Sequence, residues 1–181
     1  MRFAAPAMSF TAREFRDALG LFPTGIAIVT TVDAAGVPAG VTVNSFTSVS
    51  LEPPLILVSL ARTSRSLEVF NRASHFAVTL LREDQRQASS AFASTTADRF
   101  RLVRHRAGIG GCPVVEPHLV AFECETHARH DGGDHVLVLG KVIRIDPGTV
   151  AASKPLLYFR GQYRELSEEH AEFAPFRLEG W

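Results

Sequence analysis

A run of polar side chains in the middle of the chain, residues 42–50, has the groups needed to hold a polar ligand by hydrogen bonds. Six of these nine positions carry a hydroxyl or an amide, although the segment otherwise resembles a core strand. A buried hydroxyl without a partner costs about 1–3 kcal/mol. Strand alternation would place one set of these residues on the same face, namely Thr42, Asn44, Phe46, Ser48 and Ser50. We therefore expect them to face a bound ligand or water, with an exposed Ser/Thr-rich edge strand as the alternative.

A second polar group lies where a predicted strand ends and a predicted helix begins. Residues 62–66 read Arg-Thr-Ser-Arg-Ser. Free backbone N–H groups at a helix start, together with a guanidinium that binds two oxygens, suit a phosphate. The alternative is an ordinary N-cap at Ser64 with arginines exposed to solvent.

The two polar groups together have the layout of a binding site for flavin mononucleotide. Residues 62–66 would hold the phosphate, and the hydroxyls and amides of residues 42–50 would bind the ribityl chain. Residues 44–47 also offer hydrogen-bonding groups for the pyrimidine edge of the flavin ring. In such a site the flavin carries the redox chemistry, and the protein positions the ring against a hydride donor.

The cysteines and histidines do not form a recognisable metal or nucleophile site. Cys112 and Cys124 are too few and too widely spaced for a disulfide framework or a four-cysteine zinc site. Cys124 lies on the apolar face of a predicted strand, so we interpret both thiols as structural. His127 and His130 are three residues apart on the same strand and would point to opposite faces. We therefore predict no metal site.

Composition excludes several classes of protein. The chain has 181 residues, of which 46% are hydrophobic, and it contains 19 basic and 19 acidic residues. A net charge of zero lacks the attraction that nucleic-acid binding requires, and no apolar run is long enough to cross a membrane. The lack of a disulfide pattern is typical of a cytoplasmic protein. The length predicts one domain over residues 1–181.

The elements that must position the polar groups are mostly strands. Thr11 and Glu14 form a capping box that predicts a helix start, and Gly20 is expected to end this helix. Alternation and β-branched runs predict strands at 25–33, 37–51, 55–60, 75–81, 119–130, 135–146 and within 156–166. Helices are predicted at 64–72 and 83–94, and an exposed loop at 99–111.

The order of these elements predicts the fold class. Asp-Gly-Gly-Asp at 131–134 indicates a hairpin between the two longest strands. Strands outnumber helices and mostly follow one another without crossover helices. We therefore expect a mainly β fold, an antiparallel barrel with flanking helices, instead of a doubly wound sheet.

Five strings in the chain resemble the flavin reductase-like family of FMN-binding split barrels. They are Phe-Pro-Thr-Gly at 22–25, Thr-Val-Asn-Ser-Phe-Thr-Ser-Val-Ser at 42–50 with Pro-Pro at 53–54, Ala-Phe-Ala at 91–93, Gly-Asp-His at 133–135, and Pro-Leu-Leu-Tyr-Phe-Arg-Gly at 155–161. The resemblance covers about residues 10–166. It leaves an N-terminal extension at 1–9 and a C-terminal tail at 167–181 without a counterpart.

The resemblance implies a split barrel that acts as an NAD(P)H-dependent flavin reductase, reducing FMN or FAD for a partner flavin-dependent monooxygenase. It also implies a homodimer with the flavin near the subunit interface. Implied flavin-binding residues are Thr24, Thr30, Thr42, Asn44, Ser45, Phe46, Thr47, Ser48, Ser59, Thr63, Ser64, Arg65, Phe92 and Ala93. His135 is implied to lie at the nicotinamide side as a catalytic group, with Tyr158, Arg160 or Tyr163 beside it.

Two other functions are compatible with the same residues. The barrel could hold FMN permanently and oxidise or reduce a small substrate, as in proteins similar to pyridoxamine-phosphate oxidases. It could also be a non-enzymatic flavin-binding module. No acidic residue follows a G-x-G-x-x-G motif to bind a nicotinamide ribose, so NADH and NADPH both stay open.

Overall fold

The chain folds mainly into strands joined by short turns. The structure is a computed structural model that describes residues 9–94, 98–148 and 153–167. Its α-helices are α1 (Ala12–Leu19), α2 (Leu67–Arg72) and α3 (Arg86–Ala93). Its strands are β1 (Thr24–Gly25), β2 (Ala27–Val32), β3 (Pro38–Val43), β4 (Thr47–Leu51), β5 (Pro54–Ala61), β6 (His75–Leu80), β7 (Arg104–Ala107), β8 (Pro113–Glu116), β9 (Val120–Gly132), β10 (His135–Asp146), β11 (Leu157–Phe159) and β12 (Gln162–Arg164). The predicted mainly β class is confirmed.

Seven strands form one antiparallel sheet that curls into a barrel. Its strand order is β3-β2-β6-β9-β10-β5-β4, so the consecutive strands β3 and β4 lie at opposite edges. Only residues 44–46 join these strands, and a linker of this length spans at most about 14 Å. The two edges must therefore approach each other. We name residues 44–46 the barrel seam. The Ser45 hydroxyl fastens it to β5, donating to the Ser59 carbonyl and accepting from the Ser59 N–H, both at 3.0 Å.

Alternate residues of the strands fill the barrel interior. Buried side chains from six strands meet there, including Val29, Val58, Phe76, Val78 and Val138. The helix α2 adds Leu67 and Phe70 to this core, as its spacing predicted. Burial of one such side chain stabilises the fold by roughly 1.5–3 kcal/mol. A second apolar cluster lies outside the barrel, between β2 and α3.

Predictions that rest on neighbouring residues are confirmed. Thr11 and Glu14 make both bonds of the capping box at the start of α1, and Gly20 is its C-cap. The rings of Phe10 and Phe15 lie 5.5 Å apart across the same helix start. The strands β9 and β10 form the predicted hairpin, with Gly133 at a φ of 75° that favours glycine.

Four predicted elements are wrong in extent or type. The extended segment at 37–51 is two strands, because the barrel seam interrupts it. The loop at 99–111 contains β7, which pairs with β8. The last strand is a hairpin of β11 and β12. Ser64 is not the N-cap of α2, since Ser66 takes that position and a turn after β5 precedes it.

A buried carboxylate explains why the predicted loop is structured. The Glu123 side chain is 1% exposed and accepts hydrogen bonds from Arg144 at 2.5 Å, from Arg106 at 3.0 Å and from the Ile109 N–H at 2.6 Å. Arg106 also donates to Asp146 at 2.5 Å. These bonds fasten residues 104–111 to β9 and β10.

The predicted N-terminal extension at 1–9 and C-terminal tail at 167–181 lie outside the described residues, apart from Ser9 and Ser167. Within the described ranges, no helix combines the length and the apolar character needed to cross a lipid bilayer.

Candidate functional site

The polar groups singled out from the sequence meet at the carboxyl end of β5. This strand lies between β4 and β10 in the sheet. The barrel seam is bonded to Ser59, and His135 pairs with Ala61 in the β5–β10 register. Residues 62–66 follow β5 directly. The structure therefore brings the barrel seam, residues 63–65 and His135 to the carboxyl half of β5, and Thr47 and Ser48 continue from the seam alongside Leu57 and Ile56. We name this region, which comprises residues 44–48, residues 63–65 and His135, the β5 site.

The polar run at 42–50 divides into exposed and structural side chains. The exposed members at the β5 site are Asn44, Thr47 and Ser48. The Ser45 hydroxyl is already bonded to the Ser59 backbone on both its donor and acceptor sides, so it positions the seam. The Phe46 ring stacks on Phe122 with centroids 5.6 Å apart and packs against the barrel core. Asn44, Thr47 and Ser48 are therefore the side chains of this run that can bind a ligand directly.

The turn after β5 presents hydroxyls and one guanidinium. The Ser64 N–H closes the turn by donating to the Ala61 carbonyl at 2.9 Å. The Ser64 hydroxyl accepts from the Ser66 N–H at 3.3 Å, while Thr63 and Arg65 are exposed. Within the described part of the chain, Arg65 has no ion-pair partner. Its charge is therefore available to an anion.

Arg62 does not belong to the anion group, which corrects the prediction. Its Nη2 donates to Asp131 at 2.5 Å and its Nε donates to the Gly133 carbonyl at 2.7 Å. Its backbone N–H donates to the Asp134 carbonyl at 2.9 Å. Arg62 therefore fixes the β9–β10 turn, and with it His135, against the start of the 63–65 turn.

His135 projects from the first position of β10 with its side chain 42% exposed. Its Nδ1 lies 2.7 Å from an oxygen of Asp134. A carboxylate can only accept, so Nδ1–H donates and Nε2 is left to face a ligand. The same hydrogen bond, with the charge of His135, holds the pKa of Asp134 below its usual value.

A second set of predicted residues gathers around Ser89 of α3. The Thr42 hydroxyl donates to the Ser89 carbonyl at 2.7 Å, and the Ser89 hydroxyl lies 2.9 Å from the hydroxyl of Tyr163. The Tyr163 ring is edge-on to Tyr158, with centroids 5.9 Å apart. Tyr158 pairs with Thr24 across β1 and β11. Among the described residues the buried Thr24 hydroxyl has no hydrogen-bond partner.

Arg160 and Ala93 lie at exposed positions. Arg160 has a φ of 51°, and its N–H donates to the Gly20 carbonyl at 2.9 Å. Its guanidinium lies 5.3 Å from the centroid of the Phe159 ring. Ala93 is the last residue of α3. Neither residue is brought to the β5 site by a contact in the structure described here.

Thr30 and Phe92, which the resemblance places at the flavin, lie in the interior. Thr30 is fully buried and its hydroxyl donates to the Pro113 carbonyl. Phe92 is 1% exposed and packs edge-on against Phe100, with centroids 4.9 Å apart. Neither side chain is exposed in the structure described here, and their assignment to the flavin stays a prediction.

Cys124 is buried, as the sequence predicted, and Cys112 is buried as well. Burial raises the pKa of Cys124 to about 12 and also raises the pKa of Cys112. Neither residue therefore supplies a thiolate at neutral pH. His127 and His130 are exposed on β9. In the described ranges no three His, Cys, Asp or Glu side chains are placed to hold a metal ion.

Several residues of the site escape sequence reasoning. Asp131 and Asp134 belong to a motif that predicts a turn, but the partner of Asp131 lies 69 residues away in the chain. Ser89 lies in a helix whose sequence shows no binding pattern. For Asp131 and Asp134 the available signal was the Asp-Gly-Gly-Asp motif, and this motif predicts the backbone turn but not the partners of the side chains.

The fold and the site are those of a split-barrel protein, and the comparisons define the family. Residues 19–167 match the family described as Flavin reductase like domain. The match spans most of the chain, so the protein belongs to this family.

Solved structures share this architecture. The nitrilotriacetate monooxygenase component B homolog from Mycobacterium thermoresistibile has a TM-score of 0.86 and 36% identity, covering 92% of this chain and 93% of that one. The NADH:FAD oxidoreductase SgcE6 of Streptomyces globisporus, in complex with NAD and FAD fragments, has a TM-score of 0.81 and 33% identity. That alignment covers 87% of this chain and 93% of SgcE6. The predicted split barrel is therefore confirmed.

Curated relatives include reductase components of oxygenases. HsaB of Rhodococcus jostii, the reductase subunit of a flavin-dependent monooxygenase, is 36% identical over 96% of this chain and 88% of its own length. The stachydrine N-demethylase reductase subunit Stc3 of Rhizobium meliloti is 44% identical over 74% of this chain. The chain spans 58% of the length of Stc3 and 49% of another Rhizobium meliloti relative.

Proposed function

We propose that the protein is an NAD(P)H-dependent flavin reductase, which oxidises NADH or NADPH, reduces FMN or FAD and supplies the reduced flavin to a partner monooxygenase. The observation that carries this proposal is the arrangement of residues 44–48, residues 63–65 and His135 along the carboxyl half of β5. A site that binds a flavin next to a nicotinamide requires hydrogen-bonding groups, an anion-binding turn and an imidazole. The names of HsaB and Stc3 support the same activity.

The described residues fit a flavin by their chemistry. The unsatisfied Thr24 hydroxyl is a polar group still in need of a partner. The groups we assign to the ring edge and ribityl chain are Asn44, Thr47 and Ser48, and those we assign to the phosphate are Thr63, Ser64 and Arg65. When bound, a flavin supplies the redox chemistry by accepting a hydride from the reduced nicotinamide. The protein binds and orients both partners.

In this proposal His135 contacts the nicotinamide nucleotide. Its Nε2 faces outward because Nδ1 is engaged by Asp134. With Nδ1–H donating to Asp134, the Nε2 of a neutral imidazole accepts a hydrogen bond from the nucleotide, and only a protonated ring donates one there. Asp134 acts through His135 and is a positioning residue.

Replacing Arg62 with methionine is expected to raise the KM for the nicotinamide nucleotide by about tenfold, the effect of losing roughly 1.4 kcal/mol of positioning. The reason is that methionine cannot hold Asp131 and the Gly133 carbonyl, so the turn carrying His135 loses its tie to β5. Steady-state kinetics and FMN titration are the measurements. Arg101→Met, at an exposed arginine, is the matched control. If the Kd for FMN rose by the same factor as the KM, this would contradict a role of Arg62 that is confined to the turn.

The proposal includes a homodimer in which a second copy covers the outer face of β5 and β10. The helices α2 and α3 pack against β2 and β3. The outer face of β5 and β10 instead carries partly buried leucines, among them Leu57, Leu137 and Leu139. Covering them would remove apolar surface from water. Analytical ultracentrifugation is expected to give twice the mass of one chain, and a monomer at micromolar concentration would contradict the dimer.

We also infer a cytoplasmic location and a flavin-dependent monooxygenase as the recipient of the reduced flavin. Both cysteines are free thiols, which accords with a reducing compartment. The reductase-subunit name of HsaB supports the kind of recipient.

A steady-state assay of NADH and NADPH against FMN, FAD and riboflavin tests the proposed activity. Oxidation of a nicotinamide nucleotide only when a flavin is added, with flavin lost on gel filtration, is the expected result. A protein that stays yellow through gel filtration would favour an oxidase with permanent FMN. Tight flavin binding without nicotinamide oxidation would favour a non-enzymatic module. Either of these results overturns the reductase assignment.

A further inference from the structure

A cavity of about 600 Å³ opens beside the proposed phosphate turn. It lies between α2, the β2–β3 turn and the segment that precedes β8. Its lining residues are Thr31, Val32, Asp33, Ala34, Ala35, Arg65, Glu68, Val69, Arg72, Ala73, Ser74, His75, Gly110 and Cys112. The volume is in the usual range for small-molecule sites, roughly 300–1,000 Å³. Of the predicted flavin-binding residues only Arg65 lines it, so the cavity extends beyond that site.

One wall of the cavity is basic. Arg65 precedes α2, and Arg72 ends this helix. Both arginines line the cavity, one near each end of the helix. Between them Glu68 accepts from Arg72 at 2.7 Å, which holds that guanidinium along the wall. A ligand that enters past Arg65 would therefore meet a second positive charge and a carboxylate that accepts from hydroxyl groups.

The opposite wall is preformed by local hydrogen bonds. One oxygen of Asp33 accepts from the N–H groups of Ala35 and Val37, both at 2.8 Å. The Thr31 hydroxyl donates to the His75 carbonyl at 2.8 Å. Small and apolar side chains line the space between the walls, among them Val32, Ala34, Ala35, Val69 and Ala73. A flat heterocyclic ring fits between such surfaces.

We propose that this cavity holds the adenylate half of FAD. The inference rests on the proposed function, because it places the flavin phosphate at residues 63–65. FMN ends at that phosphate, whereas FAD continues through a second phosphate to a ribose and an adenine. Arg65 lies where the phosphate turn meets the cavity. Arg72 lies deeper along the same wall and would bind the second phosphate, and Glu68 would accept hydrogen bonds from the ribose hydroxyls. The apolar surfaces receive the adenine, and FAD is then bound more tightly than FMN.

The test compares the affinities of FAD and FMN for the intact chain by flavin fluorescence titration. Arg72→Gln and Ala35→Glu each alter the cavity at an exposed position. We expect each variant to raise the Kd for FAD by about tenfold and to leave the Kd for FMN unchanged. Arg13→Gln is the matched control, because Arg13 also forms an i,i+4 ion pair on a helix but lies far from the cavity in the chain. It is expected to change neither affinity.

Three results would overturn the adenylate assignment. The first is that the unmodified protein binds FAD and FMN with equal affinity. The second is that Arg72→Gln raises the Kd for both flavins by the same factor. The third is that a cavity variant raises the KM for NADH while the ratio of its Kd values for FAD and FMN stays unchanged. The last result would assign the cavity to the nicotinamide nucleotide. Failure of the proposed function itself would look different, since the unmodified protein would then oxidise neither NADH nor NADPH with FMN.

Discussion

Replacing Ser64 and Arg65 together with alanine is expected to weaken FMN binding by about 100-fold, while riboflavin binding changes by less than about threefold. A hydrogen bond to a charged group contributes about 1.5–3 kcal/mol, and the double variant removes a hydroxyl and a guanidinium from the turn that follows β5. Riboflavin has no phosphate and is held by the rest of the site. Fluorescence titration with the two flavins measures the difference.

The control for this experiment is a double variant of the same residue types elsewhere on the surface. Ser90→Ala with Arg101→Ala changes an exposed serine and an exposed arginine outside the β5 site. Its affinities for FMN and riboflavin should match those of the unmodified protein. Equal losses for the two flavins in the Ser64 and Arg65 variant would remove the phosphate assignment while leaving the flavin site.

Replacing Glu123 with glutamine is expected to lower the free energy of unfolding by about 2–3 kcal/mol at pH 7. The full cost of breaking a buried ion pair is about 3–5 kcal/mol. We expect less because the side chains of Arg106 and Arg144 keep partial contact with water, at 31% and 47% exposed. Urea denaturation measures the change. Glu125→Gln, on the same strand but exposed, is the control and should change stability by no more than about 0.5 kcal/mol.

The pH dependence of stability tests the same ion network. Burial by itself would raise the pKa of Glu123, but the bonds from Arg144, Ile109 and Arg106 outweigh burial and hold this pKa below its usual range. The hydrogen bond from Arg106 is the main cause that lowers the pKa of Asp146 to about 2. A carboxylate with a lowered pKa stabilises the folded state above its unfolded pKa, and this contribution is lost as the pH falls through the folded pKa.

The unmodified protein should therefore lose stability progressively between about pH 5 and pH 2, and Glu123→Gln should lose less over that range. Urea denaturation at a series of pH values provides the comparison. Parallel curves for the two proteins would show that Glu123 does not contribute through its charge. A rise in stability on acidification of the unmodified protein would contradict the network as a whole.

The sequence by itself determined the features that depend on near neighbours along the chain. The capping box of Thr11 and Glu14, the Gly133 turn and the alternation of β10 each involve residues within a few positions of one another. Such contacts form in the same way wherever the segment is placed. The polar composition of residues 42–50 and 62–66 likewise drew attention to the β5 site before any packing was known.

The tertiary structure alone decided which of those side chains are available and what lies beside them. Thr30 and Ser45 are hydroxyl residues like Thr47, yet one is buried against Pro113 and the other is bonded to Ser59 across the barrel seam. Arg62 resembles Arg65 in the sequence but is held by Asp131, 69 residues away. Pairings over such distances depend on how the sheet closes, which no local pattern specifies. The cavity beside α2 has the same origin, because its walls come from segments that only the closed barrel brings together.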